Sequence, residues 1–418
     1  MPHSPSTRFI AAPGAHLHAV RSLRLVTGLL ALAPAVLCAS GTRVGFKDAF
    51  ATARGNAFVA TADNPSAIYY NPAGLTQLHG QEVSATAYLA RFEADYHSAV
   101  TGRTSSLKAE TQLLPQLYWA WAPEGMHWAL GLGYYAPYGL STDWTGSSDL
   151  FEFATKNKET YTTINPVFAW RLSDTVSIGG GATFNHLKVD LNRGVLLSGV
   201  LPSALFHFAA SGNDVGYNLG LRWQPTEQHA FGLSYQARTN FGVSGSSDLN
   251  PLIMGEPARA DFAFPEVFIA GYSFRPTLGW NVEANIDWTN WSCVKTVTIT
   301  KASGPVALPF DWKASYFYEL GVTHYWPNGW QVSAGYTLSE NSVPDATWNP
   351  AVPDTTRHFW CAGVGYAEGP WRFMATLQHA TAGTRQVRSG QQTLFGSSPD
   401  GGYDTTINTF SLSLDYRF

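Results

Sequence analysis

The strongest constraint on this chain is a period of two that returns, stretch after stretch, along most of its length. At the C-terminus Phe410, Leu412, Leu414, Tyr416 and Phe418 alternate with Ser411, Ser413, Asp415 and Arg417. Such alternation describes a strand with one apolar and one polar face. The same pattern holds at Trp280, Val282, Ala284, Ile286 and Trp288 against Asn281, Glu283, Asn285 and Asp287. It holds again from Trp330 to Leu338, from Tyr217 to Trp223 and from Val176 to Phe184. Candidate strands read this way fall near 82–92, 111–122, 127–136, 160–172, 176–189, 215–223 and 230–240. Seven more fall near 262–274, 280–290, 313–325, 330–338, 357–367, 371–380 and 407–418, which makes fourteen.

The connections alternate too. Short ones, at 123–126, 173–175, 224–229, 275–279, 326–329 and 368–370, are rich in the Pro, Gly and Asp of tight turns. Long ones lie near 93–110, 137–159, 190–214, 241–261, 291–312, 339–356 and 381–406. Tight turns on one rim and long loops on the other predict a 14-stranded antiparallel transmembrane β-barrel of the bacterial outer membrane. Trp121, Trp128, Trp170, Trp223, Trp280, Trp330 and Trp371 lie close to short turns and share the apolar phase, as an interfacial aromatic belt requires. A soluble β-sandwich or propeller would put its tryptophans mid-strand. Composition agrees with the barrel: charged residues make up 13%, against about 25% in soluble proteins. No run of about 20 apolar residues suits a spanning helix. The net charge of -4, without basic blocks, gives no footing for nucleic acid.

The start of the chain reads as an export signal. Arg21 and Arg24 precede the apolar stretch 25–37, and Ala39, Ser40 and Gly41 follow it. Residues 1–40 are therefore expected to be removed, residues 41–81 to form an N-terminal plug in the lumen, and residues 82–418 to form the barrel. Leu37 before Cys38 argues against a lipoprotein. Cys293 and Cys361 remain, either as one disulfide or as two thiols.

Between signal and first strand stands Asp63-Asn-Pro-Ser-Ala-Ile-Tyr-Tyr-Asn-Pro-Ala-Gly-Leu75. It resembles the plug of the FadL-type long-chain fatty acid and hydrocarbon transporters, whose signature is Asn71-Pro72-Ala73. Gly131-Leu-Gly-Tyr-Tyr-Ala-Pro-Tyr-Gly-Leu140 with Trp144, Asn165-Pro166, Trp223-Gln-Pro-Thr226, Asp287-Trp-Thr-Asn-Trp-Ser292 and Pro353-Asp354 ahead of Arg357 are similar to further segments of that family, in order. The resemblance implies a fourteen-stranded barrel closed by a plug. It implies extracellular loops that capture a greasy ligand, a deeper site beside the plug, and an inward kink of the third strand that opens a lateral window.

The candidate residues follow. The segment 195–208 is anomalously apolar for an aqueous loop, and exposed apolar patches mark binding. Leu197, Leu201, Leu205, Phe206 and Phe208 are its capture candidates. In the plug, Phe46, Phe50 and Phe58 are candidates for ligand contact, and Asn71, Pro72 and Ala73 for anchoring to the wall. Gly131 and Gly133, with Pro137, mark a bulge or bend in their strand. Arg171, Arg222, Arg372 and Arg417 share the lumen phase near the short-turn rim. They either pair with Asp48 and Asp63 of the plug or one of them holds a ligand carboxylate.

No nucleophile elbow, zinc-protease motif, P-loop or dinucleotide fingerprint is present, so neither enzyme activity nor a cofactor or metal is expected. Glu283, Asp287, His186 and Glu319 on the polar face are expected to bond plug and water. The expected function is passive, diffusive uptake of hydrophobic compounds by a monomer set in outer-membrane lipid and lipopolysaccharide, with Phe418 addressing the barrel-assembly machinery. Long-chain fatty acids are the first substrate class, aromatic hydrocarbons the second. A receptor or adhesin barrel without transport is the alternative from another class.

Overall fold

The structure, a computed structural model, describes residues 41–196 and 203–418. The signal segment 1–40 and the candidates Leu197 and Leu201 lie outside the described residues. Its strands are β1 (Gly80–Ser98), β2 (Thr104–Ser106), β3 (Thr111–Ala122), β4 (Trp128–Tyr135), β5 (Gly139–Asp143), β6 (Lys156–Arg171) and β7 (Val176–Val195). They continue as β8 (Ala204–Trp223), β9 (His229–Gln236), β10 (Thr239–Asn250), β11 (Ile253–Phe264), β12 (Val267–Thr277), β13 (Trp280–Thr289) and β14 (Thr296–Lys301). The last are β15 (Val306–Pro309), β16 (Ser315–Tyr325), β17 (Trp330–Ser339), β18 (Arg357–Glu368), β19 (Trp371–Thr381), β20 (Arg385–Val387) and β21 (Gly401–Arg417).

The ladder runs β1–β3–β4–β6–β7–β8–β9–β12–β13–β16–β17–β18–β19–β21, and β21 pairs back onto β1, closing a 14-strand antiparallel barrel. Each predicted strand has its counterpart. Three predicted loops carry hairpins. The described residues of 190–214 belong largely to β7 and β8, paired from Val176↔Trp223 up to Val195↔Ala204, 241–261 is the β10–β11 hairpin, and 291–312 contains the β14–β15 hairpin. The period of two persists there, but its sense reverses, so it does not read as an extension of the strands below.

That reversal organises the molecule. On the short-turn side the wall turns apolar residues outward: Trp170, Trp223, Trp280, Trp330 and Trp371 are all exposed, as are Phe184, Leu219, Leu377 and Phe410. Moving up the strands, the outward residues become polar. Phe184 gives way to His186 and Lys188, Val215 to Asn213, Leu377 to His379 and Phe410 to Asn408. From Trp223 to Asn213 the wall spans about 25 Å along the barrel axis at ordinary strand rise and tilt, the height of an outer-membrane apolar band. Above that level the interior is the apolar side. Leu187, Val189, Phe206, Phe208, Phe241 and Val243 are buried inward while their neighbours meet water.

Inside the barrel's lower half the facing wall is polar, and residues 41–79 lie against it. Asp48 caps the short helix Ala49–Ala53 through its bond from Ala51 N, and a second short helix (Ala67–Tyr70) leads into a 3-10 turn (Pro72–Gln77). Wall glycines make room for this inner segment. A Cβ at Gly220 would sit 2.2 Å from Asn71 Oδ1, and one at Gly335 2.0 Å from the Gly55 nitrogen. Part of the chain's glycine is thus spent on clearance between wall and filling. Cys293 and Cys361 are both free thiols.

Candidate functional site

Above the inner segment, at the level where the interior turns apolar, lies a cavity of ≈ 100 Å³. Leu140, Val189, Leu191, Phe206, Phe264, Leu308, Trp291, Trp312 and Val352 supply its apolar lining. They come from β5, β7, β8, β11 and β15 and from the loops after β13, β15 and β17, so only the closed barrel assembles them. Thr42, Asn157, Lys158, Glu159 and Arg193 are its polar members. Arg193 places its guanidinium carbon 5.6 Å above the Phe206 ring, and its Nε is buried without a hydrogen-bond partner. Glu159 is paired across to Val189, four residues down the strand from Arg193, so about 13 Å separates their levels. The cavity therefore joins an apolar body to a cation whose donor is unused at one end.

The cavity belongs to one continuous apolar cluster that runs down to the wall. Trp291 packs edge-on to Trp312 at 4.9 Å and to Tyr138 at 5.8 Å. Phe46 of the inner segment lies 6.3 Å from Tyr88 and 5.3 Å from Phe359, and Leu114 closes the same cluster. Phe50 and Phe58 belong to a second cluster beneath it, 5.6 Å from each other and packed with Ile68, Tyr69 and Tyr70. Of the three inner phenylalanines, only Phe46 reaches the cavity's cluster.

The wall is interrupted beside that cluster. β3 pairs with β1 along its whole length, but with β4 only from Leu117↔Tyr134 to Trp121↔Leu130. Above Leu117 the chain after β4 bends inward. The Val44 amide donates to Pro137 O at 2.9 Å, the Gly139 amide to Thr42 O at 2.8 Å, and Arg43 and Tyr138 form an antiparallel bridge. β5 then pairs with β6 alone among the barrel strands. The unpaired stretch of β3 contains Pro115, which brings no N–H to a ladder. It ends upward where Lys108 N donates to Asp143 O at 2.9 Å. The bend lies at Ala136, Pro137 and Tyr138, not at the glycines. Gly131 and Gly133 stay in register with β3 and β6, and what they provide is clearance, since a Cβ on either would meet Ile68 within 3 Å.

Buried polar contacts fasten the inner segment to β13, β16 and β8. Arg43 forms a two-point ion pair with Asp287 (2.6 and 2.8 Å), and Asn56 Nδ2 donates to Glu319 at 2.9 Å. Arg54 donates to Asn281 at 2.7 Å, and the Ala60 and Thr61 amides donate to Glu283 at 2.8 and 3.0 Å. Opposite, Asn71 Nδ2 donates to the carbonyls of Val59 (2.7 Å) and Leu221 (3.0 Å), while its Oδ1 accepts from Ala73 N. Asn71 is thus a bracket between inner segment and wall, Pro72 opens the following turn, and Ala73 closes against both.

The four rim arginines are all engaged, though not by the partners expected. Arg171 donates to Thr76 O and Arg222 to Ala60 O (2.9 Å). Arg372 pairs with Glu82 (2.8 Å) and Asp415 (3.3 Å), and Arg417 with Glu82 (2.7 Å). Asp63 pairs instead with Arg275 at 3.1 Å, and Asp48 is used as a helix cap. The arginines sit beside the barrel's own carboxylates and the inner segment's carbonyls, far below the apolar cavity. Leu205 is half-buried on the outer side of β8, while Phe206 and Phe208 point inward, so the described part of the apolar run, from 204 to 208, alternates across a wall. Arg193, Phe264 and Trp312 are not among the sequence candidates. Arg193 and Phe264 are signalled only by the reversed alternation along β7 and β11, and Trp312 lies in the loop after β15, which no period marks.

A closed barrel with a tryptophan belt, an apolar chamber above the membrane level and a break in its wall is an outer-membrane transport protein for hydrophobic compounds. The chain belongs to the outer membrane protein transport family (OMPP1/FadL/TodX), whose family model matches residues 30–418. The long-chain fatty acid transport protein of Escherichia coli (strain K12) is 24% identical over 368 residues, covering 74% of this chain and 80% of that one. Outer membrane protein P1 of Haemophilus influenzae (strain Rd) is 21% identical over 423 residues, covering 86% and 91%. Among solved structures, a Pseudomonas aeruginosa FadL homologue superposes with a TM-score of 0.82 at 18% identity, covering 91% of this chain and all 100% of that one. The Pseudomonas putida toluene transporter TodX superposes at 0.72 and 16% identity, covering 91% and 100%. These last two likenesses concern the fold.

Proposed function

We propose that this protein carries long-chain fatty acids passively across the outer membrane, through the apolar chamber and out sideways through the wall beside β3. The observation that carries the reading is the reversal of strand polarity. A barrel that merely spans the membrane has no need of an apolar interior above the lipid, where the outside is water. Here that interior is continuous with a single apolar cluster that ends at the unpaired stretch of β3. A ligand entering at Phe206 and Phe264 slides past Trp291, Tyr138 and Phe46 to Leu114 without leaving apolar surroundings. The inner segment acts as the plug that keeps the lower, polar lumen shut. Arg193 favours a carboxylate over a plain hydrocarbon, because a half-buried guanidinium whose buried Nε donor is unused is best compensated by an anion. No energy-coupling box lies near the N-terminus, so movement follows the gradient. The ring of Phe418, 72% exposed at the end of the last strand, is offered to the barrel-assembly machinery.

The test is growth of a fatty-acid-uptake-deficient bacterium expressing this chain, on oleate and on toluene as carbon sources. Growth on oleate that Arg193→Gln impairs is the expected result. Growth on toluene alone moves the substrate to aromatic hydrocarbons. Growth on neither, with the barrel present in the outer membrane, refutes transport in favour of a receptor.

A further inference from the structure

We propose that export processing cuts between Ser40 and Gly41, and that the new α-ammonium of Gly41 forms a buried ion pair with Asp354. The inference is independent of what the chamber binds. The sequence supplies the cut: Cys38 and Ser40, both small, occupy the two positions that a signal peptidase reads behind the apolar stretch 25–37. Hydrolysis adds water across the Ser40–Gly41 peptide bond. The oxygen stays on the Ser40 carboxylate, and the freed Gly41 nitrogen takes up protons to become an ammonium.

The geometry supplies the partner. The Gly41 nitrogen lies 3.0 Å from Asp354 Oδ2. The residue is buried, and a Cβ there would stand 2.7 Å from Trp291 and 2.8 Å from Trp312. Position 41 is thus reserved for glycine and held against two rings. Asp354 is fully buried. Its Oδ2 also accepts from the Ser342 amide and hydroxyl, both at 2.9 Å, while Oδ1 faces Arg357 at 3.5 Å. The other cation at this loop, Arg385, is spent on the Asp354 backbone carbonyl (2.8 Å) and the Asp345 carboxylate. A buried carboxylate at this distance from one arginine has room for a second cation, and a buried ammonium requires an anion.

The consequence is a latch. The pair ties the first residue of the plug to the loop carrying Ser342 and Asp354, and the same loop contributes Asn349, Ala351 and Val352 to the chamber. Removal of the signal would therefore create the charge that fastens the chamber's roof to its floor.

Two measurements on protein purified from outer membranes test this. The first is intact mass with N-terminal sequencing, expected to begin at Gly41; any other start overturns the proposal. The second is the rate at which 2-pyridinecarboxaldehyde, which reacts with free N-terminal amines, modifies the folded wild type and Asp354→Asn. Heat-modifiable gel mobility serves as the check of folding. Modification at least tenfold slower in the wild type than in the variant is expected. Equal rates in two folded proteins overturn the ion pair. Should Asp354→Asn fail to fold, the wild type alone decides. Its amine must react more slowly than in the denatured chain, with a pH midpoint above the ordinary value of about 8; a midpoint at or below that value refutes the pair.

Discussion

The ion pair between Arg43 and Asp287 permits a quantitative forecast. The two side chains are 2% and 0% exposed, and the guanidinium meets the carboxylate at two points and Thr289 Oγ1 at 2.9 Å. Replacing Arg43 with Met keeps much of the volume and strands a buried carboxylate. Breaking such a pair on one side costs about 3–5 kcal/mol. Arg43 also lies between Thr42 and Val44, whose backbone bonds to Gly139 and Pro137 hold the inward bend of the wall. The loss therefore falls on local opening of the inner segment's first residues, not on the barrel ladder. At 1.36 kcal/mol per decade, that opening becomes roughly two to four decades more populated. Hydrogen–deuterium exchange of the peptide spanning 42–47 in detergent is the assay, with β17 and β18 as internal reference. Arg43→Met should accelerate exchange there at least a hundredfold, and adding Asp287→Asn, which removes the stranded charge, should recover most of it. Exchange within twofold of wild type in Arg43→Met would refute the assignment of this pair as the fastening of the inner segment's start.

Further outcomes follow from the same geometry. Gly220→Val drives a side chain into Asn71 and Pro72, and overpacking of about 1–3 kcal/mol or more should displace the 3-10 turn, read as raised conductance in planar bilayers. Asp48 is pushed up to about 7, first by burial and then by the nearby Asp415. Because this folded value lies above the ordinary one, the folded chain holds the extra proton between about pH 4 and 7, and stability falls as pH rises through that window. Exchange at Ala51 should thus be more protected at pH 5 than at pH 8 after correction for intrinsic rates, and Asp48→Asn should flatten the difference. Phe206→Glu puts a carboxylate among the chamber's apolar walls and should abolish oleate uptake while the barrel still assembles, measured by labelled-oleate accumulation and gel mobility.

The barrel was legible because its rule is local. A strand between lipid and a polar lumen must alternate, as residues 410–418 do, and a tight turn must carry turn residues, so each strand and the belt from Trp121 to Trp371 declare themselves without reference to any partner. The place of the inner segment in the chain was legible for the opposite reason, since residues 41–79 lack the period. The chamber was not. Leu187, Val189 and Phe206 continue the alternation of β7 and β8 with inside and outside exchanged, and an apolar stretch near a rim looks the same whether it lines a chamber or an exposed groove. The partners of Arg222, Arg372 and Asp63 were hidden similarly: alternation assigns a face but says nothing of which charges meet across the lumen.

By itself, then, the sequence determined the number of strands, the side each residue faces within the membrane, and the rim that carries the tryptophans, because each depends on neighbours two or a few residues away. Only the tertiary structure decided that the wall breaks above Leu117, that the bend comes after Tyr135, and that Arg193 shares a cavity with Trp312. Those facts arise where residues from distant strands compete for the same hydrogen bonds and the same space: Thr42 and Val44 take the backbone partners that β3 would otherwise supply, and no local pattern records that exchange.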